Sequence, residues 1–194
     1  MKLRCYLLLL SLLASCAPYG LSQGDVLTVA PDQSHVAFTL SDVLHTVHGA
    51  FHIQSGTVRF DNSKSQISGS IVVAAGSGQS GNETRDRRMT KDVLDAPQFA
   101  VASFTPQRME GSIAPSGDST VQVTGIFTLH GTPHELTVPM QVHMDGANCT
   151  AKTQFIVPYV KWGLKDPSNF LLKVSKDVTI DLTLVGQLSP APGA

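Results

Sequence analysis

The sequence contains seven histidines, and their spacing decides whether they could share a metal ion. His48 and His52 have the same parity in an alternating segment, but four strand residues separate them by about 13 Å, at about 3.3 Å per residue. One metal ion cannot bridge that distance. His130 and His134 flank a predicted hairpin turn and could approach each other, yet two imidazoles without a third ligand are an incomplete site. We therefore predict solvated strand histidines and no metal site.

Nucleophilic and acidic residues have equally little support from their surroundings. Ser80 lies in the segment Gly78–Asn82, which lacks the final glycine of a nucleophile elbow. Cys149 has no sequence neighbour that would lower its pKa. The acids lie beside basic residues or at turn and strand ends, where capping is commoner than catalysis: Asp86, Asp92, Asp95, Asp166, Asp177 and Asp181. We predict no catalytic residue; a small hydrolase or metal-dependent enzyme is the alternative.

Residues 1–16 have the layout of a bacterial export signal. Lys2 and Arg4 flank the start of an apolar run that is too short to span a bilayer. Leu13–Cys16 is typical of lipoprotein processing sites, so Cys16 is the candidate for lipid attachment and for a tether to the outer membrane. The alternative is ordinary signal cleavage as late as residue 22, which would yield a periplasmic or secreted protein.

Composition argues against several other classes. Charged residues make up 15% of the chain with both signs mixed, whereas a nucleic-acid-binding surface needs clustered basic residues. We therefore predict no nucleic acid partner. Cys149 is the only cysteine after residue 16, so no disulfide within the domain is expected. The length suits one domain, placed at residues 26–188 and followed by a disordered tail at 189–194.

Alternation of apolar and polar side chains dominates this domain. Val36, Phe38 and Leu40 share one parity, and the same period of two recurs along the chain. Strands are predicted at residues 26–29, 35–41, 47–54, 57–60, 67–75, 99–104, 121–130, 135–144, 150–157 and 178–185. Turn residues separate them at hairpin spacing, which favours a sandwich or a barrel.

One short α-helix interrupts the strands. The Gly/Ser-rich segment Gly76–Gly81 is a predicted mobile linker, and the helix follows at Arg85–Leu94, with Thr84 as its N-cap and Pro97 preventing its continuation. A helix this short must pack on the sheet to be stable. Its apolar side consists of Met89, Val93 and Leu94.

Several short motifs, taken in chain order, carry a family resemblance. They are Val36–Phe38, His48–Phe51, Ser55–Asp61, Arg85–Met89, Val93–Phe99, Val123–Gly131 and Lys161–Leu164. Together they resemble the YceI-like family of periplasmic isoprenoid-binding proteins over residues 26–188. One departure is Tyr159-Val160-Lys161, which replaces an arginine that often precedes the aromatic-glycine turn in that family.

The resemblance implies an all-β fold, a closed antiparallel lipocalin-like β-barrel of about eight strands with one short α-helix. It also implies a bound isoprenoid, quinone tail or other lipid, and no cofactor. Inward parity, the helix and the aromatic-glycine turn together nominate the ligand-lining residues: Phe38, Leu40, Phe51, Ile53, Val58, Phe60, Ile71, Val73, Met89, Val93, Leu94, Phe99, Phe104, Phe127, Leu129, Phe155 and Trp162.

The sequence pattern does not distinguish a hollow barrel from a filled one, because an eight-stranded barrel is either packed solid or holds one small ligand. The first hypothesis is a carrier, store or protectant of an apolar molecule in the cell envelope. A third hypothesis, beside the enzyme, is a ligand-free structural or stress-response module that forms a homodimer through an exposed sheet face.

Overall fold

The structure, a computed structural model, describes residues 24–41, 45–169 and 173–191. Its strands are β1 (Asp25–Val29), β2 (His35–Ser41), β3 (Thr46–Phe51), β4 (Ile53–Asp61), β5 (Gln66–Ala74), β6 (Val101–Glu110), β7 (Gly117–Leu129), β8 (Thr132–Asp145), β9 (Asn148–Val157) and β10 (Val178–Pro190). Helix α1 (Glu83–Arg88) continues into a π-helical turn (Met89–Val93), and 3-10 turns occupy Pro31–Gln33 and Ala75–Ser77. No helix within these ranges is long and apolar enough to cross a membrane. The predicted export signal and Cys16 lie outside the described residues.

The strands close into an antiparallel barrel, which confirms the predicted fold class. The ring runs β1, β4, β5, β6, β7, β8, β9 and β10, and pairing of β1 with β10 closes it. Strand β2 follows β1 along the same edge of β10, and β3 pairs with β2 just before the chain enters β4. The barrel therefore has eight strand positions, two of which consist of two segments each.

Ser34 holds together the strand position that β1 and β2 share. Pro31, which has no backbone N–H, begins the 3-10 turn between them. The buried Ser34 hydroxyl donates to the Ala30 carbonyl at 2.8 Å and accepts from the Val185 amide at 2.9 Å. Because these bonds satisfy backbone groups at the interruption, both segments stay attached to β10.

Buried side chains fill the half of the barrel that contains the β4–β5, β6–β7 and β8–β9 turns, called here the filled half. Along β8 the even-numbered residues from Val138 to Met144 are buried and the odd-numbered ones are exposed, as the predicted period of two requires. The filled half includes Leu27, Val58, Phe60, Met109, Val121, Val123, Val142, Met144, Cys149, Ala151 and Leu184. One continuous apolar core therefore stabilises this end without a disulfide.

The helix differs from its prediction at both ends. It begins two residues early because Asn82, rather than Thr84, is the N-cap: the Asn82 side-chain oxygen accepts the Arg85 N–H at 3.0 Å. Both residue types cap helices well, so the sequence alone does not choose between them. The α-helix also ends earlier than predicted, and the π-helical turn Met89–Val93 takes over.

Most strand boundaries differ from the prediction by a few residues, and the predicted strand 47–54 is divided between β3, which ends at Phe51, and β4, which begins at Ile53. Strand β6 begins at Val101 rather than at Phe99, because the Phe99 N–H donates to the Asp95 carbonyl at 2.8 Å within a turn. Strand β10 includes the first two residues of the predicted tail, since Pro190 pairs with Asp25 of β1. Residues 192–194 of that tail lie outside the described ranges.

Candidate functional site

A cavity of about 590 Å³ occupies the half of the barrel opposite the filled half. It lies at the end where the β7–β8 turn meets the β5–β6 and β9–β10 connections. Its volume is within the range of about 300–1,000 Å³ that is usual for small-molecule sites. Aliphatic and aromatic side chains from this half of the barrel form most of the cavity wall. The barrel is therefore hollow at this end and packed at the other.

Most of the predicted lining residues face this cavity. They are Phe38, Leu40, Phe51, Ile71, Val73, Met89, Val93, Leu94, Phe104, Phe127, Leu129 and Phe155. Two aromatic pairs stiffen the wall: the Phe38 and Phe51 rings lie 5.4 Å apart, and Phe127 and Phe155 pack edge to face at 6.1 Å. Contact of these side chains with a ligand stays a prediction.

Some predicted lining residues lie outside the cavity. Val58 and Phe60 point inward as their parity requires, and Ile53 does so because a β-bulge shifts the register of β4 between Ile53 and Ser55. All three belong to the buried core and do not line the cavity. Phe99 packs on the β7–β8 turn, where its ring lies 4.3 Å from the His130 ring with 45° between the planes. The parity of a residue indicates whether its side chain points into the barrel. It does not indicate whether the interior at that level is packed or empty.

Trp162 does not line the cavity and instead packs against the wall residue Phe127. Its indole lies 5.8 Å from the Phe127 ring and stacks nearly parallel on His134 at 4.1 Å, with 6° between the planes. His134 has a buried Nε2 without a hydrogen-bond partner among the described residues. Trp162, predicted as a lining residue, thus contacts the site through Phe127, and it is the only tryptophan of the chain.

The sequence reasoning missed several cavity residues. Leu136, Val138 and Met140 lie on the inward face of β8 and line the cavity, and the period of two in that strand could have nominated them. Tyr159 and Leu164 also line it, from the irregular segment after β9. That segment has no periodicity, and the motif Lys161–Leu164 within it nominated Trp162 rather than Leu164.

A cover segment, residues Ser80–Leu94, closes the barrel where β3 and β5 separate. Just before it, Gln79 pairs with β3 through two backbone hydrogen bonds to Ala50, of 2.9 and 3.0 Å. Gly78 approaches the wall so closely that an added Cβ would lie 2.6 Å from the Phe51 ring and 2.4 Å from the Met89 methyl group. The predicted mobile linker is therefore attached to the barrel at this point.

Tyr159 lines the cavity, and a hydrogen bond to the segment before β10 fixes its side chain. Its hydroxyl donates to the Ser175 carbonyl at 2.7 Å. Burial, together with the charges of Asp166 and Asp177, raises the pKa of Tyr159 to about 12. Hydrogen bonds from Ser168 lower the pKa of Asp166 and so keep that carboxylate charged. The phenol is thus held neutral against the apolar space beneath it.

Thr153 interrupts the apolar wall. Only 8% of this residue is exposed, and its hydroxyl is buried without a hydrogen-bond partner among the described residues. An unpaired buried hydroxyl costs about 1–3 kcal/mol. The hydroxyl has almost no accessible surface, so Thr153 presents mainly its methyl group to the cavity.

Solvent-exposed lining residues mark the entrance to the cavity. They are Ser41, Asn82, Thr84, Arg85, Arg88 and Pro167. Arg85 is fixed there, because its Nε donates to the Ser80 hydroxyl and one terminal nitrogen donates to the Ser80 carbonyl, both at 2.7 Å. The Ser80 hydroxyl in turn donates to Asp86. Polar groups are therefore concentrated at the entrance and sparse in the interior.

The titratable residues discussed above do not converge on a reactive centre. Within the described ranges, no three His, Cys, Asp or Glu side chains are placed to hold a metal ion. His48 Nδ1 hydrogen-bonds to the Thr39 hydroxyl at 3.1 Å, and His143 pairs with Asp118 at 2.7 Å on the surface. Burial raises the pKa of the Cys149 thiol, which favours its unreactive protonated form.

Comparison with known proteins gives the same fold and a family. The model of a family described as YceI-like domain matches residues 27–186. A UPF0312 protein of Pseudomonas fluorescens (strain SBW25) is 30% identical over 150 residues, which cover 72% of this chain and 73% of that protein.

Two solved structures share the barrel. BcnA of Burkholderia cenocepacia is 24% identical with a TM-score of 0.67, and the match covers 82% of this chain and 99% of BcnA. A polyisoprenoid binding domain from Saccharophagus degradans is 15% identical with a TM-score of 0.64, and the match covers 84% of this chain and 98% of that domain. At these identities the likeness supports the fold alone.

Proposed function

The chain belongs to the YceI-like family, and on that premise we propose that it binds an elongated apolar molecule, an isoprenoid, quinone tail or other lipid, inside its barrel. The observation that carries the proposal is the apolar cavity of about 590 Å³ in one half of a closed barrel. The polyisoprenoid binding domain from Saccharophagus degradans, which has the same fold, supports an isoprenoid as the first candidate. Binding, rather than catalysis, is the proposed activity.

The energetics favour long chains over short ones. Moving an apolar chain into the cavity gains roughly 25 cal/mol for each Å² removed from water. Association costs on the order of 4–15 kcal/mol in lost freedom, whatever the length of the ligand. Because the gain grows with chain length and much of the cost does not, affinity should rise with each added carbon until the cavity is full.

Organic extraction of protein purified from its native host, followed by mass spectrometry, tests the proposal directly. We expect an apolar chain in the extract. Phe51→Arg places a charge against the cavity wall and should abolish lipid retention, since an unpaired charge facing an apolar chain is strongly disfavoured. His52→Arg, at the adjacent exposed position, is the matched control and should retain the lipid.

Two results would reject ligand binding in the cavity. One is a wild-type extract without lipid together with no binding of added apolar chains. The other is equal lipid retention by Phe51→Arg and His52→Arg, which would mean that the lipid binds elsewhere on the protein.

We also propose that the protein acts in the bacterial cell envelope, tethered to the outer membrane through a lipid on Cys16. The motif Leu13–Cys16 supports this attachment. Detergent-phase partitioning of the protein made in a bacterial host should show wild type in the detergent phase and Cys16→Ser in the aqueous phase. Wild type that remains aqueous, with its mature terminus after residue 16, would contradict the tether.

A further inference from the structure

Among the residues that the structure describes, the charges that line the cavity all have one sign. Among the described residues that line it, Arg85 and Arg88 are the only charged side chains, and no aspartate, glutamate, lysine or histidine accompanies them. Both arginines lie on α1 and are exposed at the entrance. An apolar chain inside the barrel would therefore have its outer end next to two guanidinium groups.

The two arginines differ in how they are held. Arg85 is bonded twice to Ser80, whose hydroxyl also donates to Asp86, so the Asp86 carboxylate partly balances the Arg85 charge. The side chain of Arg88 makes no hydrogen bond or ion pair with any residue that the structure describes. Its neighbour Arg87 donates to Thr84 at 3.4 Å and does not line the cavity. No side chain in the described ranges therefore pairs with the Arg88 charge at the entrance.

Nearby acids do not remove this imbalance. Residues 83–92 contain four basic and three acidic side chains. Glu83, Asp86 and Asp92 are absent from the cavity wall, and none of them forms an ion pair with Arg88. The excess positive charge of the segment therefore faces the entrance.

On the basis of the proposed function, we propose that the ligand is an amphiphile with an anionic oxygen head group, a carboxylate or a phosphate. Its chain lies in the cavity and its head group lies at the entrance against Arg88, with Arg85 beside it. A guanidinium group is suited to this role because its planar set of N–H donors matches two oxygens of a carboxylate or phosphate. The exposed side chains of Asn82 and Thr84 lie at the same entrance and offer further donors.

Binding of three ligands with one chain length tests this inference. Dodecanoate, dodecyl phosphate and 1-dodecanol share a tail and differ in the head group. Titration of the delipidated protein, followed by the fluorescence of Trp162 and by calorimetry, gives each affinity. At low salt we expect both anions to bind roughly tenfold tighter than the alcohol, which corresponds to about 1.4 kcal/mol. Raising the ionic strength should reduce this preference, because the arginines are exposed.

Arg88→Gln and Arg87→Gln form a matched pair of variants on the same helix. Arg88→Gln should lose most of the preference for anions and keep its affinity for the alcohol. Arg87→Gln should keep the preference, since Arg87 lies away from the cavity. Thermal unfolding of both variants should match wild type, because both side chains are exposed. The ratio of the dodecanoate and dodecyl phosphate affinities distinguishes the two head groups.

The outcomes separate this inference from the proposed function. Equal affinities of wild type for the alcohol and the anions would refute the anionic head group and leave apolar binding intact. An equal loss of preference in both variants would refute the assignment to Arg88 and indicate a diffuse effect of helix charge. Binding of none of the three ligands would refute the proposed function itself.

Discussion

Replacing Val138 with phenylalanine should hardly change the stability of the protein, whereas the same replacement at Val142 should destabilise it. Both valines lie on the inward face of β8, and their exposed fractions are 3% and 4%. Val138 lines the cavity, while Val142 packs in the filled half next to Ala151 on β9. The pair therefore differs in one respect, which is whether empty space adjoins the side chain.

The structure sets the magnitude of the difference. The cavity of about 590 Å³ has the volume of about 20 water molecules, at about 30 Å³ each. Phenylalanine adds about four carbon atoms to valine, which in a close-packed interior would occupy about a tenth of that volume. We expect Val138→Phe to change the free energy of unfolding by less than about 1 kcal/mol. Val142→Phe has no such space and should cost about 1–3 kcal/mol through overpacking.

Urea unfolding of the two delipidated variants measures both free energies, with the slope of the transition as a check that unfolding remains two-state. Binding of apolar chains supplies the second measurement. Val138→Phe should prefer chains that are shorter by a few carbons, and Val142→Phe, where it folds, should keep the chain-length preference of wild type. Equal destabilisation by both substitutions, with no change in chain-length preference, would show that the barrel is solid around Val138 and would refute the reasoning.

Three further predictions follow from the cavity wall and its cover. Thr153→Val removes an unpaired buried hydroxyl and should raise the free energy of unfolding by about 1 kcal/mol; destabilisation would mean that the hydroxyl has a partner. The pKa of Tyr159 is about 12 in the folded protein against 10 for the free side chain, so the folded state holds the phenolic proton more tightly. Stability should therefore fall between pH 10 and pH 12, by about 2–3 kcal/mol more in wild type than in Tyr159→Phe; equal slopes would contradict this. Gly78→Ala should lower the free energy of unfolding by under about 1 kcal/mol, because the ends of the Phe51 and Met89 side chains can move into the cavity. Since these side chains would then take up cavity space, calorimetry should show weaker binding of long apolar ligands than in wild type. A loss of several kcal/mol would show that the two side chains cannot move.

The strands could be predicted from the sequence because their periodicity is local and repeated. That periodicity left a sandwich or a barrel open, and the closed barrel was predicted from the family resemblance, since closure pairs β1 with the distant β10. In β8 the alternation from Val138 to Met144 is strict, and every buried position has the expected parity. The interruption between β1 and β2 was predictable only in part. Pro31 signals a turn, but the role of Ser34 depends on Val185, which is distant in the sequence and bonds to its hydroxyl.

The limits of the site could not be predicted, because parity alone does not distinguish occupied from empty space. Phe60 and Phe104 both point inward, yet Phe60 packs in the filled half and Phe104 lines the cavity. The entrance was missed for a different reason. Arg88 lies on a helix whose mixed charges are typical of a solvated surface. Only the position of that helix on the barrel shows that Arg88 lies at the cavity entrance.

One wall of the cavity depends on a departure in strand pairing. The amide of Ala74 donates to the His52 carbonyl at 3.0 Å, and beyond this bond β5 ends in a 3-10 turn instead of continuing along β3. Gln79 then bonds to Ala50, so the edge of β3 is satisfied by the chain that leads into the cover segment. An eight-stranded ring is either filled by its own side chains or holds one small ligand, so the number of strands does not decide between the two. Where β3 and β5 separate, the helical cover segment takes the place of a paired strand, and Met89, Val93 and Leu94 from it line the cavity. The Gly/Ser-rich stretch that resembles a linker in the sequence therefore positions one wall of the cavity.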